Sequence, residues 1–231
     1  MYSLVHRHPD FYVIDKAPGA NLHRNDRGRS VLDALADDYP CESSLHLVHR
    51  LDDATSGLLL IARNPVAAAH LAELFRNRKI EKYYIALADG RPRKKQGSVV
   101  GDIEKSRGGS YRLSRSRNNP SKTRFISTSV AAGRRCYLLK PITGKTHQLR
   151  VVMASLGAAI LGDTRYGKVA ADRCYLHAWA LRFDYQGETL SFVCPPSSGE
   201  GFADRAVASA LLEWAPPWGL PWGASSKPAI T

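Results

Sequence analysis

The chain has 231 residues, of which 44% are hydrophobic, and a mean hydropathy of −0.29. That length and composition suffice for one compact domain or two closely packed lobes. No apolar run approaches the roughly 20 residues of a membrane-spanning helix, and the N-terminus lacks the apolar core of a secretory signal, so we expect a cytoplasmic protein without a membrane partner. A formal charge of +12, from 33 Lys and Arg against 21 Asp and Glu, favours a polyanionic partner without identifying it.

The first part of the chain predicts strands and two short helices. "DFYVIDKAPG" predicts a strand that runs into a turn, and Ser30 with Asp33 three positions later predicts the start of a short helix. "LHLVH" and "LLLIAR" predict strands on either side of "RLDDATSG". Asn64 followed by Pro65 predicts the start of another helix, before the strand "KYYIALADG". The apolar face of that helix carries Ala68, Leu71, Ala72 and Phe75.

Most of the excess positive charge lies in residues 91–124. This stretch holds 11 Lys and Arg against 2 acidic residues, a local net charge of +9. It is also rich in Gly, Asn and Pro, so we predict hairpins and loops rather than a helix. Two interpretations remain open, a solvated flexible insert and a dedicated RNA contact.

The second half predicts paired strands at "TRFISTSV" and "RCYLLKPI", then a helix in "THQLRVVMASLG" that ends at Gly157. A hairpin with its turn at Gln186 and Gly187 follows, and Asp204 predicts the start of a final helix through Trp214. We expect residues 215–231, rich in Pro, Gly and Ser, to be a loosely ordered tail. Strands dominate without regular strand–helix alternation, which predicts an α+β fold with a mixed, largely antiparallel central sheet and flanking helices.

Several motifs are incomplete. "LLKPITGKT" ends like a P-loop, but Leu139 stands where the first glycine is required, so an NTPase is rejected. "ATSG" is not the GxSxG elbow of a serine hydrolase. His46 and His49 lack further ligands nearby, and the four cysteines form no CxxC pair, so we predict neither a metal site nor a disulfide framework. The cysteines, which we expect to be reduced, are Cys41, Cys136, Cys174 and Cys194.

The run "HLVHRLDDATSGLLLIA" has a polar centre between strongly apolar flanks, which places that centre near the core. Polar groups held there need partners or a function. The residues concerned are His49, Arg50, Asp52, Asp53 and Thr55. On its own, Asp52 is most simply a turn or capping residue.

Residues 49–57 match all seven defined positions of HRLDxxTSG, and the chain here resembles the RluA-type pseudouridine synthases. The resemblance continues, in order, through "DKAPGANLH", "KYYIALADG", "TGKTHQLRVVMASLGAAILGDTRYG" and "LHAWALRF". It implies the pseudouridine synthase catalytic fold with a central RNA-binding cleft over residues 1–214. It also implies isomerisation of a uridine to pseudouridine in ribosomal or transfer RNA.

By this resemblance Asp52 is the catalytic aspartate, Tyr84 stacks on the target base and Arg150 pairs with the aspartate. The reaction breaks the bond from N1 to C1′, turns the uracil and rejoins it through C5, which requires no redox change, so we expect no cofactor. The carboxylate can attack the sugar, attack the base or assist elimination to a glycal, and each route needs it ionised. Arg150 would favour that form, and the Tyr84 hydroxyl could reach C5.

The target nucleotide must leave the stacked helix to react, and RNA contacts must hold it there. We assign these contacts to His49, Arg50, Thr55, Lys82 and Lys145. Relatives often carry an N-terminal S4 domain, whereas here the catalytic domain begins within the first dozen residues, so we expect that domain to bind RNA itself. We expect a monomer with no obligate protein partner.

The sequence departs from the family pattern in its second half. Lys145 replaces an Arg, Val152 replaces a His, and Ala158 and Ala159 replace a His-Pro pair, all outside the three catalytic positions. How this half positions RNA therefore does not carry over from the family.

Two other functions remain open. One is a non-catalytic RNA-binding or ribosome-assembly protein on the same fold, for which the basic stretch matters more than Asp52. The other is hydrolysis of a glycosidic bond, although no second catalytic carboxylate is evident, since Asp53 on a strand would face away from Asp52.

Overall fold

The structure is a computed structural model that describes residues 1–22, 28–40, 44–90 and 92–222. Its strands and helices, in chain order, are β1 (Tyr2–Arg7), β2 (Phe11–Lys16), α1 (Val31–Asp38), β3 (His46–Leu47), β4 (Ser56–Ala62), α2 (Pro65–Arg76), β5 (Glu81–Asp89), β6 (Gln96–Lys105), β7 (Tyr111–Ser114), β8 (Ser121–Ala131), β9 (Arg134–Pro141), α3 (Gln148–Ser155), β10 (Leu176–Tyr185), β11 (Glu188–Val193) and α4 (Arg205–Trp214). Short 3₁₀ turns lie at Arg107–Gly109, Glu200–Ala203 and Pro217–Gly219. The chain forms two compact units: unit 1 is Met1–Ile80 with His177–Pro196, and unit 2 is Glu81–Leu176 with Ser197–Thr231.

Unit 1 is built on a sheet with the strand order β1-β2-β4-β10, in which β3 pairs with β4 and β11 with β10. β4 and β10 run parallel, whereas the other pairs of this unit that the structure describes are antiparallel. α2 packs its apolar face on β2, β4 and β10. The core at this point includes Phe11, Val13, Leu58, Leu60, Ala67, Leu71, Leu181 and Phe183.

Both predicted helix starts in unit 1 are confirmed. Ser30 Oγ accepts from Asp33 N at 3.1 Å and Asp33 Oδ2 accepts from Ser30 N at 2.9 Å, which is a capping box. Asn64 Oδ1 accepts from Ala67 N at 2.8 Å, with Pro65 at the first helical position. These local signals explain why the two helices begin where the sequence predicts.

Unit 2 is an antiparallel sheet with the order β5-β9-β8-β6-β7. The basic stretch supplies β6, β7 and the start of β8, so its described residues form hairpins, as predicted, rather than a structureless insert. α3 packs against β6, β7 and β8, and α4 against β8 and β9. The predicted α+β fold with a mixed, largely antiparallel sheet is confirmed.

Turns and caps predicted from short-range signals are also present. Gln186 and Gly187 have φ values of 51° and 88°, which suits the tight turn between β10 and β11. Gly157, with a φ of 72°, follows the end of α3. Asp204 accepts from Ala206 N at 2.8 Å at the start of α4.

Residues 215–222 differ from the loosely ordered tail that we expected. Trp222 Nε1 donates to Pro217 O at 2.7 Å, and Arg124 Nη1 donates to Trp222 O at 2.7 Å. The Trp222 ring lies 5.7 Å from the Tyr83 ring, between centroids. Tryptophan packing therefore holds this segment to unit 2, which composition alone does not reveal. Residues 223–231, and Cys41, lie outside the described residues.

Candidate active site

The Asp52 turn, residues 52–55, leads into β4 of unit 1. Thr55 N donates to Asp52 O at 2.9 Å and closes the turn. Two more donors meet the carbonyl oxygen of Asp53, namely Gly19 N at 2.7 Å and Lys16 Nζ at 3.0 Å. Asp52 itself is half-buried, and Thr55 is buried. The backbone that carries the Asp52 side chain is therefore held by several hydrogen bonds.

Lys16 is the last residue of β2 and is fully buried. Its ammonium donates to the carbonyl oxygens of Ala17, Ala20 and Asp53, each at 3.0 Å. Three acceptors match the three N–H donors of a lysine, which makes its burial tolerable. Lys16 thereby ties the loop after β2 to the Asp52 turn. We assigned it no role from the sequence, where the available signal was a Lys at the end of the apolar strand "FYVIDK".

The end of the Asp52 turn is docked on β10 by the last two residues of the signature. Ser56 lies opposite His177 and Gly57 opposite Ala178, and Ser56 Oγ is 2.7 Å from His177 Nδ1. Gly57 has a φ of 108°, and a Cβ there would lie 2.3 Å from Ala178 O, so a larger residue would separate the strands. His177 Nε2 is 2.8 Å from Cys194 O. His177 therefore has a structural role, since it links Ser56 to the backbone of Cys194.

Asp15, His177 and Cys194 place three potential metal-ligand atoms within 4.8 Å of one another. The carbonyl of Cys194 can only accept, so His177 Nε2 carries the proton and Nδ1 accepts from the Ser56 hydroxyl. Burial, reinforced by the charge of Asp15 and a hydrogen bond to it, raises the pKa of the Cys194 thiol to about 12. A protonated thiol and an imidazole engaged at both nitrogens do not form a ready ligand set.

His49 serves the packing of unit 1. Leu60 N donates to His49 Nε2 at 2.9 Å, and the imidazole stacks on Phe75 with 4.3 Å between ring centroids. The ring thus links β4 to α2. Its neighbour Arg50 is exposed, as a phosphate contact requires, although we had placed it near the core.

β5 of unit 2 carries Lys82 and Tyr84 two residues apart, so both side chains project from the same face of the strand. Tyr84 pairs with Leu139 of β9 and is 9% exposed. Burial lowers the pKa of Lys82. A Cβ at Gly144 would lie 3.6 Å from Lys82 Nζ. Lys82 therefore stands beside the turn that leads to α3.

Gln148 fixes that turn with its side-chain amide. Oε1 accepts from Thr143 Oγ1 at 2.7 Å and from Lys145 N at 3.0 Å. Nε2 donates to Thr123 Oγ1 at 3.0 Å and to Lys122 O at 3.2 Å. The "TGKTHQ" segment is therefore a turn closed by a buried glutamine, consistent with rejecting the P-loop.

Arg150 on α3 makes a bidentate ion pair with Asp163. Arg150 Nε donates to Asp163 Oδ2 at 2.8 Å and Nη2 donates to Oδ1 at 2.7 Å. Only 8% of the Arg150 side chain and none of the Asp163 side chain is exposed. Burial favours a higher pKa for Asp163, but the hydrogen bonds and charge of Arg150, with backbone N–H groups of Arg165 and Tyr166, lower it overall.

The loop after β7 is organised by Asp102. Its carboxylate accepts from Ser116 Oγ at 2.7 Å, Asn118 N at 3.0 Å and Asn119 N at 3.1 Å. The hydrogen bond from Ser116, with those from the backbone, lowers the pKa of Asp102. Lys145 Nζ donates to Asn119 Oδ1 at 2.8 Å, which ties the loop to the turn before α3.

This loop, residues 115–120, carries part of the basic stretch. The exposed cations of the stretch in the described chain are Arg93, Lys94, Lys95, Lys105, Arg107, Arg112, Arg115 and Arg117. Arg112 pairs with Glu104 at 3.2 Å. The described part of the basic stretch is therefore an ordered, positively charged surface, which argues against a flexible insert.

The predicted site residues divide between the two units. Unit 1 holds His49, Arg50, Asp52 and Thr55, whereas unit 2 holds Lys82, Tyr84, Lys145 and Arg150. The supporting residues to which we assigned no role are Lys16, Asp102, Asp163 and Tyr166. Asp163 and Tyr166 lie within the "LGDTRYG" part of a block already quoted for the resemblance. No helix among the described residues is long and apolar enough to span a bilayer.

Comparison with known proteins identifies the family. The RNA pseudouridylate synthase family model matches residues 10–155. An uncharacterized RNA pseudouridine synthase of Haemophilus influenzae is 45% identical over 199 residues, 85% of this chain and 88% of that protein. A ribosomal large subunit pseudouridine synthase C of Vibrio parahaemolyticus is 29% identical over 222 residues, 92% of this chain and 67% of that protein. The structure of human RNA pseudouridylate synthase domain containing 1 matches with a TM-score of 0.73 and 30% identity, over 85% of this chain and 84% of that one. The chain therefore belongs to the RNA pseudouridylate synthase family.

Proposed function

We propose that this chain isomerises a specific uridine to pseudouridine in ribosomal or transfer RNA, with Asp52 as the catalytic carboxylate. The observation that carries the proposal is the Asp52 turn, in which the family signature forms a backbone secured by Lys16 and Gly19. Such a turn fixes the backbone from which the carboxylate projects before substrate arrives. A half-buried carboxylate on a fixed backbone suits chemistry at a single sugar or base atom.

The proposed reaction is redox neutral. The bond from N1 of uracil to C1′ breaks, the base turns, a bond from C5 to C1′ forms, and the proton at C5 leaves. Asp52 acts on the sugar, on the base or by assisting elimination to a glycal. All three routes require the ionised carboxylate, so the same substitution tests them together.

Tyr84 and Arg150 are the other two proposed catalytic residues. Tyr84, buried on β5 with 9% of its surface exposed, offers a flat ring for the uracil and a hydroxyl to receive the C5 proton. Arg150 is proposed to pair with Asp52 and to stabilise its ionised form. These roles require all three residues to act on the same uridine.

We propose that Arg50, Lys82 and Lys145 contact RNA phosphates. The exposure of Arg50 and the basic loop beside Lys145 support this assignment. His49 and Thr55 were also predicted to contact RNA. The hydrogen bond from Leu60 N favours a packing role for His49, and the burial of Thr55 with its bond to Asp52 O favours a role for Thr55 in the Asp52 turn.

Ribosomal RNA is the first substrate class to examine. The name of the Vibrio relative places that protein's activity on the large ribosomal subunit. We propose a cytoplasmic, monomeric enzyme whose catalytic domain, residues 1–214, binds RNA itself. Isomerisation by this chemistry calls for no cofactor.

The decisive test maps pseudouridine in total RNA from strains with and without the gene. We expect at least one uridine to lose its modification in the deletion strain and to regain it with wild-type protein. Asp52→Asn should not restore it but should retain RNA binding by filter assay. Asp184→Asn is the matched control, since it removes an exposed carboxylate from the same unit, and it should restore modification.

The ordered basic surface also suits a non-catalytic RNA-binding or ribosome-assembly protein. This alternative predicts that Asp52→Asn complements a growth or assembly defect of the deletion strain as well as wild type does. It also predicts that no pseudouridine disappears on deletion. That pair of results would contradict the proposed isomerase.

A further inference from the structure

Asp163 in unit 2 is a carboxylate whose side chain is completely buried. Both of its oxygens accept from Arg150: Oδ2 from Nε at 2.8 Å and Oδ1 from Nη2 at 2.7 Å. Oδ1 also accepts from Arg165 N at 3.0 Å and from Tyr166 N at 3.2 Å. The two backbone donors fix the carboxylate to its own turn. It is therefore a rigid acceptor for the arginine.

A buried ion pair is a weak source of net stability, because removing both charges from water offsets most of their attraction. The distinctive property of the Arg150–Asp163 pair is that it fixes the orientation of the guanidinium. Two parallel hydrogen bonds along the Nε–Nη2 edge fix the plane of the guanidinium and its rotation within that plane. A lysine at position 150 would meet the same carboxylate without this directional control. The pair therefore controls orientation more than stability.

Tyr166 restrains the same guanidinium from its face. Arg150 Cζ lies 5.1 Å from the centroid of the Tyr166 ring. The Tyr166 hydroxyl accepts from Tyr111 N at 3.0 Å and is 2.8 Å from His147 Nδ1. His147 directly precedes α3 with a φ of 54°, a left-handed conformation that a non-glycine residue seldom adopts. A strained backbone at His147 is consistent with a functional requirement for its side chain beside the Tyr166 hydroxyl.

We propose that Asp163 is the positioning residue for Arg150, with Tyr166 as its second support, and that together they set the direction in which Nη1 points. This inference rests on the proposed function, in which Arg150 acts beside Asp52. Nη1 takes no part in the pair with Asp163, so it is the end of the guanidinium that the pair directs toward the reaction. Asp163 acts through Arg150 and does not touch the substrate.

The first test is Asp163→Asn, measured on an RNA that the wild-type protein modifies. The amide retains an acceptor for the turn but loses the charge and the second acceptor along the guanidinium edge. We expect kcat to fall about 100-fold, the effect of a misplacement near 1 Å, while the KM for RNA changes less than about twofold. Asp172→Asn is the control, because Asp172 is an exposed carboxylate of the same unit that accepts from the Tyr175 hydroxyl and from Glu200 N. It should leave both constants unchanged.

A double-mutant cycle separates positioning from general damage to the fold. If Asp163 acts through Arg150, Asp163→Asn should lower kcat less than about threefold in an Arg150→Lys background. A merely structural role would lower kcat by the same factor in both backgrounds. Should Asp163→Asn fail to fold, Tyr166→Phe keeps the ring and removes only the hydroxyl. We then expect a loss of kcat of about fivefold in wild type that disappears in the Arg150→Lys background.

The outcomes distinguish this inference from the proposed function. A wild-type protein that modifies no RNA overturns both. An active wild type with an unchanged kcat in Asp163→Asn, or with equal losses in both backgrounds, overturns only the positioning role of Asp163.

Discussion

The Asp52 turn of unit 1 and the Arg150 site of unit 2 are held in different ways. Lys16 and Gly19 secure the turn through the carbonyl oxygen of Asp53. Arg150 is oriented by a side-chain ion pair with Asp163. The first arrangement fixes backbone and leaves the functional side chain to project from it. The second fixes the functional side chain directly, so its orientation depends on one ionised carboxylate.

The comparison predicts that the largest stability loss comes from breaking the buried pair. Arg150→Ala leaves Asp163 buried without its arginine, and we expect the free energy of unfolding to fall by about 4 kcal/mol at pH 7. Urea unfolding monitored by circular dichroism measures this loss. Arg134→Ala, which breaks the half-exposed pair with Asp89, is the control and should cost less than about 1 kcal/mol. Equal losses would contradict the difference between a buried and an exposed pair.

The contribution of Asp163 to the free energy of unfolding should depend on pH with opposite signs in wild type and in Arg150→Ala. In wild type the pKa of Asp163 is lowered in the folded protein. Its stabilisation of the folded state is therefore fully present above the unfolded-state pKa of about 3.9 and is lost as pH falls through the folded pKa. Without Arg150, burial raises that pKa, and the variant becomes more stable relative to its unfolded state as pH falls. The difference between wild type and Arg150→Ala should therefore shrink from pH 7 to pH 4. A constant difference would show that Asp163 is not the group responsible.

The next largest effect should come from the turn of unit 1. Lys16→Met removes the donor to three carbonyl oxygens, and we expect a loss of about 2 kcal/mol, since relief of the buried charge offsets part of the cost. kcat should fall at least about tenfold, because the Asp52 turn loses one of its supports. Lys16→Arg should not restore activity, since a planar fork does not reproduce the ammonium's three directions. Lys79→Met, at an exposed lysine of the same unit, is the control for stability and kcat.

The parts of the fold predicted from sequence depend on short-range signals. The capping box at Ser30, the helix start at Asn64 and the turn at Gln186 each involve residues within a few positions of one another, and all three are present. Asp52 was singled out because its signature is contiguous. A contiguous pattern carries both its local structure and its family resemblance within the sequence itself.

The supports of the candidate site are not local. Lys16 meets Asp53 across 37 positions and Arg150 meets Asp163 across 13, and both contacts depend on how the chain folds back on itself. A buried lysine can be recognised from an apolar strand, but its acceptors are backbone groups that carry no sequence signal. Residues 215–222 were wrongly predicted for a similar reason. Their composition is typical of a loose tail, but Trp222 packs on the distant Tyr83 of β5.

The smallest predicted effect concerns the loop of residues 115–120 in unit 2. Its backbone is held by the carboxylate of Asp102. Asp102→Asn weakens the hydrogen bonds that order residues 116–119, so RNA binding should weaken about three- to tenfold through the cost of ordering the loop. The slope of log Kd against log salt should not change, because the bound loop still presents the same cations.

Arg117→Ala, by contrast, should reduce that slope by about 1. Glu104→Gln removes an equal negative charge from the same hairpin and should leave binding unchanged or tighter. If Asp102→Asn binds as tightly as Glu104→Gln, only the net charge of this surface matters and the order of the loop does not.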